Sequence, residues 1–183
     1  MKNAIMLHGT ACTPNSYWLP SIRGYLESVG YRTWVPQLPD ADIPDLKKQL
    51  PYVLENGEFN EETDLLAHSR GCPLALSVLE HIDTRIHRTI LVAGFTRPND
   101  KSEFDPILQK RYNWRKIRQN GGDMYFINSD NDPWGCNDKQ GYYMFRRLGG
   151  TLIIRHGEGH MGSDTFNQPY KEFALLGRLL SLP

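Results

Sequence analysis

The stretch Asp64–Leu76, "DLLAHSRGCPLAL", decides how the chain is read. Three apolar residues, Leu65, Leu66 and Ala67, run into His68-Ser69-Arg70-Gly71. A segment over 71–82 follows in which Leu74, Val78, Leu79 and Ile82 recur at helical spacing. Pro73 falls in the first turn, where its missing N–H costs no hydrogen bond. The pattern predicts a strand, one abrupt turn and a helix. Its centre, Ala67-His68-Ser69-Arg70-Gly71, differs by one residue from G-x-S-x-G, the pattern that seats a serine on a strained strand-to-helix turn. Such a turn presses strand against helix, so the positions two before and two after the serine must be small. Ala67 and Gly71 meet that demand, the alanine adding one methyl.

The same unit recurs outward from this point. Strand-length apolar runs occur at 3–9, 31–37, 63–69, 88–94, 123–129 and 151–157, several without polar alternation, as for strands covered on both faces. Helical spacing lies between them. The segment 16–30 puts Trp18, Ile22, Tyr25, Leu26 and Val29 on one stripe and closes at Gly30. A helix over 40–56 is expected to break at Pro44 and Pro51, one over 138–150 ends on paired glycines, and one over 169–183 starts at a proline. Alternation of this kind implies right-handed crossovers and a parallel sheet flanked by helices, an α/β fold in a single domain spanning 1–183.

A chain of 183 residues holds one full core. Its 21 basic and 21 acidic residues balance, which argues against a nucleic-acid partner or an anionic membrane surface. The basic stretch "KRYNWRKIRQN" (110–120) is read as a solvated helix face with buried aromatics. No apolar run approaches the ~20 residues of a membrane span, and "MKNAIMLHG" lacks the apolar length of a secretory leader. No G-x-G-x-x-G follows a strand, so no dinucleotide cofactor is expected. Cys12, Cys72 and Cys136 form no CxxC pair, which points to a reducing compartment, the cytoplasm. Cys12 and Cys72 each lie three residues past a strand-length run and Cys136 lies in the loop after another, so they are expected around one site, open to oxidation; nothing in their spacing indicates a metal.

In parallel sheets ligands bind beyond the carboxyl ends of the strands. That rule makes neighbours of "LHGTACTP", "HSRGCP", "GFTRPND", "NSDNDPWG" and "HGEGHMG". A serine hydroxyl needs a base within reach, and the base needs a group that holds its tautomer. Ser69 is the candidate nucleophile. His160, between glycines in the loop after the sixth strand, is the candidate base, with His156 as competitor; His8 and His68 are read as structural. Asp132 is the preferred acid and Asp130 the fallback, with Asp138 assigned to capping the next helix. The backbone N–H of Arg70 would face a developing oxyanion, joined by that of Thr10, or less favourably Ala11. The order Ser69, Asp132, His160 is that of α/β-hydrolases. It predicts a serine hydrolase that cleaves a carboxylic ester or related acyl bond without cofactor or metal.

The chain resembles the small serine hydrolases related to retinoblastoma-binding protein 9 and the YdeN-type bacterial proteins, a compact branch of the α/β-hydrolases. The resemblance rests on "LHG" (7–9), "YWLPSIRGYLESVGYRTWVPQLP" (17–39), "LLAHSRGCPLAL" (65–76), "YNWRKIRQN" (112–120), "SDNDPWG" (129–135) and "GEGHMG" (157–162). It implies a three-layer α/β/α fold with strand order 2-1-3-4-5-6 and no lid, and a catalytic triad at Ser69, Asp132 and His160. It also implies a shallow site for a small acyl substrate. Ala67 and Arg70 depart from the family's pattern, and the Arg70 side chain is expected to narrow or charge the pocket. An amidase or peptidase, or a non-catalytic protein-interaction module on this scaffold, is the alternative.

Overall fold

The computed structural model describes residues 1–98 and 105–182. Strands and helices alternate strictly: β1 (Asn3–Leu7), α1 (Leu19–Ser28), β2 (Arg32–Trp34), α2 (Leu46–Asn56), β3 (Thr63–His68), α3 (Gly71–His81), β4 (Arg88–Val92), α4 (Trp114–Asn120), β5 (Asp123–Ser129), α5 (Asp138–Leu148), β6 (Thr151–Arg155) and α6 (Ala174–Leu180). The six strands among the described residues run parallel in one sheet of order β2-β1-β3-β4-β5-β6, as the resemblance implies. Every residue of β1, β3 and β4 is buried, which accounts for their unbroken apolar runs. β6, at the edge, is half-exposed and leaves Ile154 open to solvent.

The pairing Leu7↔Ala67, Ala67↔Leu91 and Val92↔Ile127 brings the C-terminal ends of the central strands level, so the loops that follow β1, β3, β4 and β5 leave from one edge. α3 lies against the middle of the sheet and is buried from Gly71 to Leu79. Gly71 is required by this packing: a Cβ there would stand 2.4 Å from the carbonyl oxygen of Leu7.

Several element limits differ from the sequence reading. α2 begins after Pro44, capped by the Asp45 carboxylate accepting from the Lys47 N–H, and it runs through Pro51 instead of breaking there. Pro51 is exposed, so water reaches the carbonyl it leaves unpaired. Val29 lies one residue past α1 and is exposed. α5 is capped by Asn137, whose side chain accepts from the Lys139 N–H, with Asp138 inside the first turn. α6 starts at Ala174, not at the proline. Tyr170, at φ 38°, turns its hydroxyl to Glu158 and its ring edge onto Phe173, which draws residues 169–173 out of helical form. Tyr112 and Trp114 pack 5.0 Å apart and are half-buried, while Lys110, Arg111, Arg115 and Arg118 face solvent. No helix among the described residues is long and apolar enough to cross a membrane.

Candidate active site

β3 ends at His68, and the chain reverses into α3 through Ser69, which sits at φ 54°. A non-glycine residue holds that left-handed conformation only when its surroundings impose it. Here the Ser69 N–H donates to the Val92 carbonyl at 3.0 Å, and the Ser69 carbonyl accepts from the Cys72 N–H at 2.9 Å. Ala11, Ala93 and Met161 also have positive φ, at 52°, 49° and 52°, so backbone strain gathers in the loops around this serine.

The Ser69 Oγ lies 2.9 Å from His160 Nε2, and His160 Nδ1 lies 2.7 Å from Asp132 Oδ2. The Asp132 side chain is fully buried and its other oxygen accepts from the Trp134 N–H at 2.8 Å. A carboxylate can only accept here, so Nδ1 carries the imidazole proton and Nε2 turns its lone pair to the serine hydroxyl. The structure therefore joins the three preferred residues in one hydrogen-bonded chain. Their competitors pair with each other: His156 Nδ1 lies 2.6 Å from Asp130 Oδ2, on a histidine side chain that is 97% exposed.

The loop that carries His160 is fixed from several sides. Its carbonyl accepts from His68 Nε2–H at 3.0 Å, and its N–H donates to Gln168 Oε1 at 2.9 Å. Trp18 Nε1–H donates to the next carbonyl, that of Met161, at 3.1 Å. Asn131 Oδ1 accepts from the Gly159 N–H at 2.8 Å, tying the loop of the acid to the loop of the histidine. His68 is buried between the edges of Tyr17 and Trp18, and desolvation, with His160 beside it, pushes its pKa down to about 3. It is thus a neutral donor at ordinary pH. His68, Trp18, Gln168 and Asn131 have no local sequence signal for this work, because each acts on a loop distant in the chain.

The turn after β1 is braced by His8, whose Nε2 accepts from the Leu38 N–H at 3.1 Å while Nδ1–H donates to the Gly9 carbonyl at 2.9 Å. Burial lowers its pKa also. The Ala11 N–H is committed to the Ala41 carbonyl at 2.8 Å, while the Thr10 and Arg70 N–H groups have no backbone or side-chain acceptor among the described residues. Thr10 and Arg70 line, together with Ser69 and His160, a cavity of about 480 Å³.

Arg70 carries a charge at the cavity, but its guanidinium pairs with Asp105 at 3.0 Å, so that charge is largely matched. Among the described residues, Asp42 and Asp164, both exposed, are the acidic residues of the lining, and Tyr17, Phe95 and Trp134 supply aromatic surface. Cys12 and Cys136 line the cavity, whereas Cys72 lies behind it with its thiol directed at the carbonyls of Ala67 and Val92, each 3.4 Å away. Burial raises the pKa of the Cys12 and Cys72 thiols. Of the stretch after β4, Asn99 and Asp100 lie outside the described residues.

The sequence is 28% identical to YdeN of Bacillus subtilis (strain 168) over 135 residues, 72% of this chain and 71% of that one. It is 22% identical to the serine hydrolase RBBP9 of Rattus norvegicus over 155 residues, 82% and 81% of the two chains. The crystal structure of the ydeN gene product from B. subtilis superposes with a TM-score of 0.88 at 22% identity, covering 99% of this chain and 97% of that one. Est1E from Butyrivibrio proteoclasticus, in a structure with ferulic acid bound, gives 0.66 at 13% identity, over 98% and 90%. The family model described as serine hydrolase matches residues 5–178, nearly the whole fold and every residue of the cavity, and the chain belongs to that family.

Proposed function

We propose that this protein cleaves a carboxylic ester, or a closely related acyl bond, through an acyl-enzyme on Ser69. The observation that carries the reading is the unbroken chain Asp132–His160–Ser69, at 2.7 and 2.9 Å, opening into the cavity. Ser69 Oγ attacks the carbonyl carbon as His160 Nε2 takes the hydroxyl proton. Asp132 holds the tautomer and stabilises the imidazolium. The negative charge that develops on the carbonyl oxygen is met by the Thr10 and Arg70 N–H groups, the second at the start of α3. His160 then passes its proton to the departing alcohol. Water, deprotonated by the same nitrogen, releases the acid and restores the serine.

The cavity volume suits a short acyl chain or a single aromatic ring. Asp42 and Asp164 at its wall disfavour acids that carry a second negative charge. An aromatic ester is in keeping with the ferulic acid held by Est1E.

Ser69→Ala is expected to abolish both fluorophosphonate labelling and turnover of short p-nitrophenyl esters while the protein stays folded. Full turnover in that variant overturns the mechanism. An unreactive Ser69 in folded wild-type protein would return the chain to the interaction-module alternative, and faster cleavage of anilides than of esters would make it an amidase.

A further inference from the structure

The acid loop brings a third metal-ligating group to the pair that orients Ser69. Asp132, Cys136 and His160 are all buried, and each offers one ligand atom within 4.8 Å of the other two. Cys136 carries no disulfide. The spacing of the sequence conceals this set, because Cys136 follows Asp132 by four residues with a turn between them and His160 arrives from the loop after β6. That turn is pinned: the Gly135 N–H donates to the Asp132 carbonyl at 3.1 Å, and Asn128 Nδ2 donates to the Cys136 carbonyl at 2.9 Å.

We propose that Asp132, Cys136 and His160 form an inhibitory site for a thiophilic divalent cation of the zinc type. The donor set of one thiolate, one imidazole and one carboxylate matches the softness and common ligation of that ion and is poor for magnesium or calcium. Tetrahedral coordination with bonds of about 2.0–2.3 Å sets ligand atoms roughly 3.5 Å apart. On binding, His160 Nδ1 and Asp132 Oδ2, now 2.7 Å apart, would open to that spacing, and separations across the set, now within 4.8 Å, would close to it by side-chain rotation. Cys136 and His160 line the cavity, so the ion has a way in and water has a place at the fourth position.

Charge and protons balance on binding. The Cys136 thiol releases its proton to solvent, Asp132 is already a carboxylate, and the two anions neutralise the buried dication. The effect on the base follows whichever ring nitrogen is used. At Nε2 the metal takes the lone pair that faces Ser69. At Nδ1 it displaces the imidazole proton to Nε2, which then faces Ser69 as a donor and accepts nothing. Either way the serine loses its base, a consequence that rests on the function proposed above; the binding itself does not.

The test uses the full chain, freed of metal by chelator, with two readouts. Zinc chloride is expected to stop ester turnover at micromolar concentration and EDTA to restore it. Cobalt(II) chloride, as a spectroscopic probe, is expected to give a near-ultraviolet sulfur-to-cobalt charge-transfer band. Cys136→Ser should lose that band and weaken zinc inhibition at least about tenfold relative to its own zinc-free rate. Cys12→Ser, which changes a cavity thiol outside the cluster, should retain both responses. Asp132→Asn gives a second route through the cobalt band if Cys136→Ser fails to fold, with weaker cobalt binding expected. No band in the wild type, or undiminished zinc inhibition in Cys136→Ser, overturns the site. A band in a protein that turns over no ester leaves the metal site standing and removes the ester-cleaving reading instead.

Discussion

At the ends of β5 and β6, two aspartates and two histidines sort into pairs with opposite surroundings. Asp132 and His160 are enclosed, with side chains at 0% and 6% exposure; Asp130 and His156 meet in water. The Gly157 N–H and His156 hold the Asp130 carboxyl below its ordinary pKa, and Asp130 raises that of His156. Ion pairs of that kind in full solvent contribute little. His156→Gln is therefore expected to leave ester turnover within about twofold of wild type. Asp132→Asn, which puts the wrong tautomer on His160, should cost about 10³–10⁴-fold in kcat. Steady-state kinetics on the two variants checks the ranking, and an equal loss in both would contradict it. Sequence spacing alone leaves these four residues close rivals, since each follows the end of β5 or β6 within a few residues. Burial separates them, and it depends on Trp18, His68 and Gln168 closing over one loop, which no local pattern announces.

At the scale of elements, the turn between β3 and α3 has unequal tolerance on its two sides. A methyl on Gly71 would meet the Leu7 carbonyl oxygen at 2.4 Å and that of His8 at 2.9 Å, backbone atoms at the end of β1 and in the turn that follows it. They cannot yield without moving β1 and the turn that carries Thr10. Gly71→Ala is expected to lower stability by about 1–3 kcal/mol and to depress kcat, through displacement of the Arg70 N–H. Ala67 is buried in β3 with its methyl already accommodated, so Ala67→Gly should keep activity and lose about 0.5–1 kcal/mol to chain entropy. Denaturant titration with ester kinetics on both variants tests the contrast; a tolerated Gly71→Ala would refute it. The sequence carries this turn legibly because its demand is steric and local. Helix limits are less legible: Asn137 and Asp138 are both good caps, and only the backbone angle at Asn137 decides between them. Pro51 is tolerated in α2 because its face is open to water, a fact of tertiary packing.

Across the whole molecule, alternation of strand and helix makes the parallel sheet legible, while strand order is not contained in it; that expectation came from the resemblance. What the order accomplishes is convergence, since β3 lies between β1 and β4 and delivers Ser69 where four other loops arrive. Convergence also buries histidines, and this sets how the folded state responds to acid. His68 is held neutral, with its pKa pushed from an ordinary 6.5 to about 3 by desolvation and by His160, and His8 shifts in the same direction. Below about 6.5 the unfolded chain binds a proton at position 68 that the folded chain refuses, so stability is full above that pH and falls as pH drops towards about 3. The slope from this residue is that of one proton. His68→Phe keeps a ring between Tyr17 and Trp18 but leaves the His160 carbonyl without its donor. That variant is expected to be less stable than wild type near neutrality and to lose less further stability between about pH 6 and pH 4. Urea titrations across that range measure both slopes, and parallel curves for the two proteins would show that His68 is not the group being protonated.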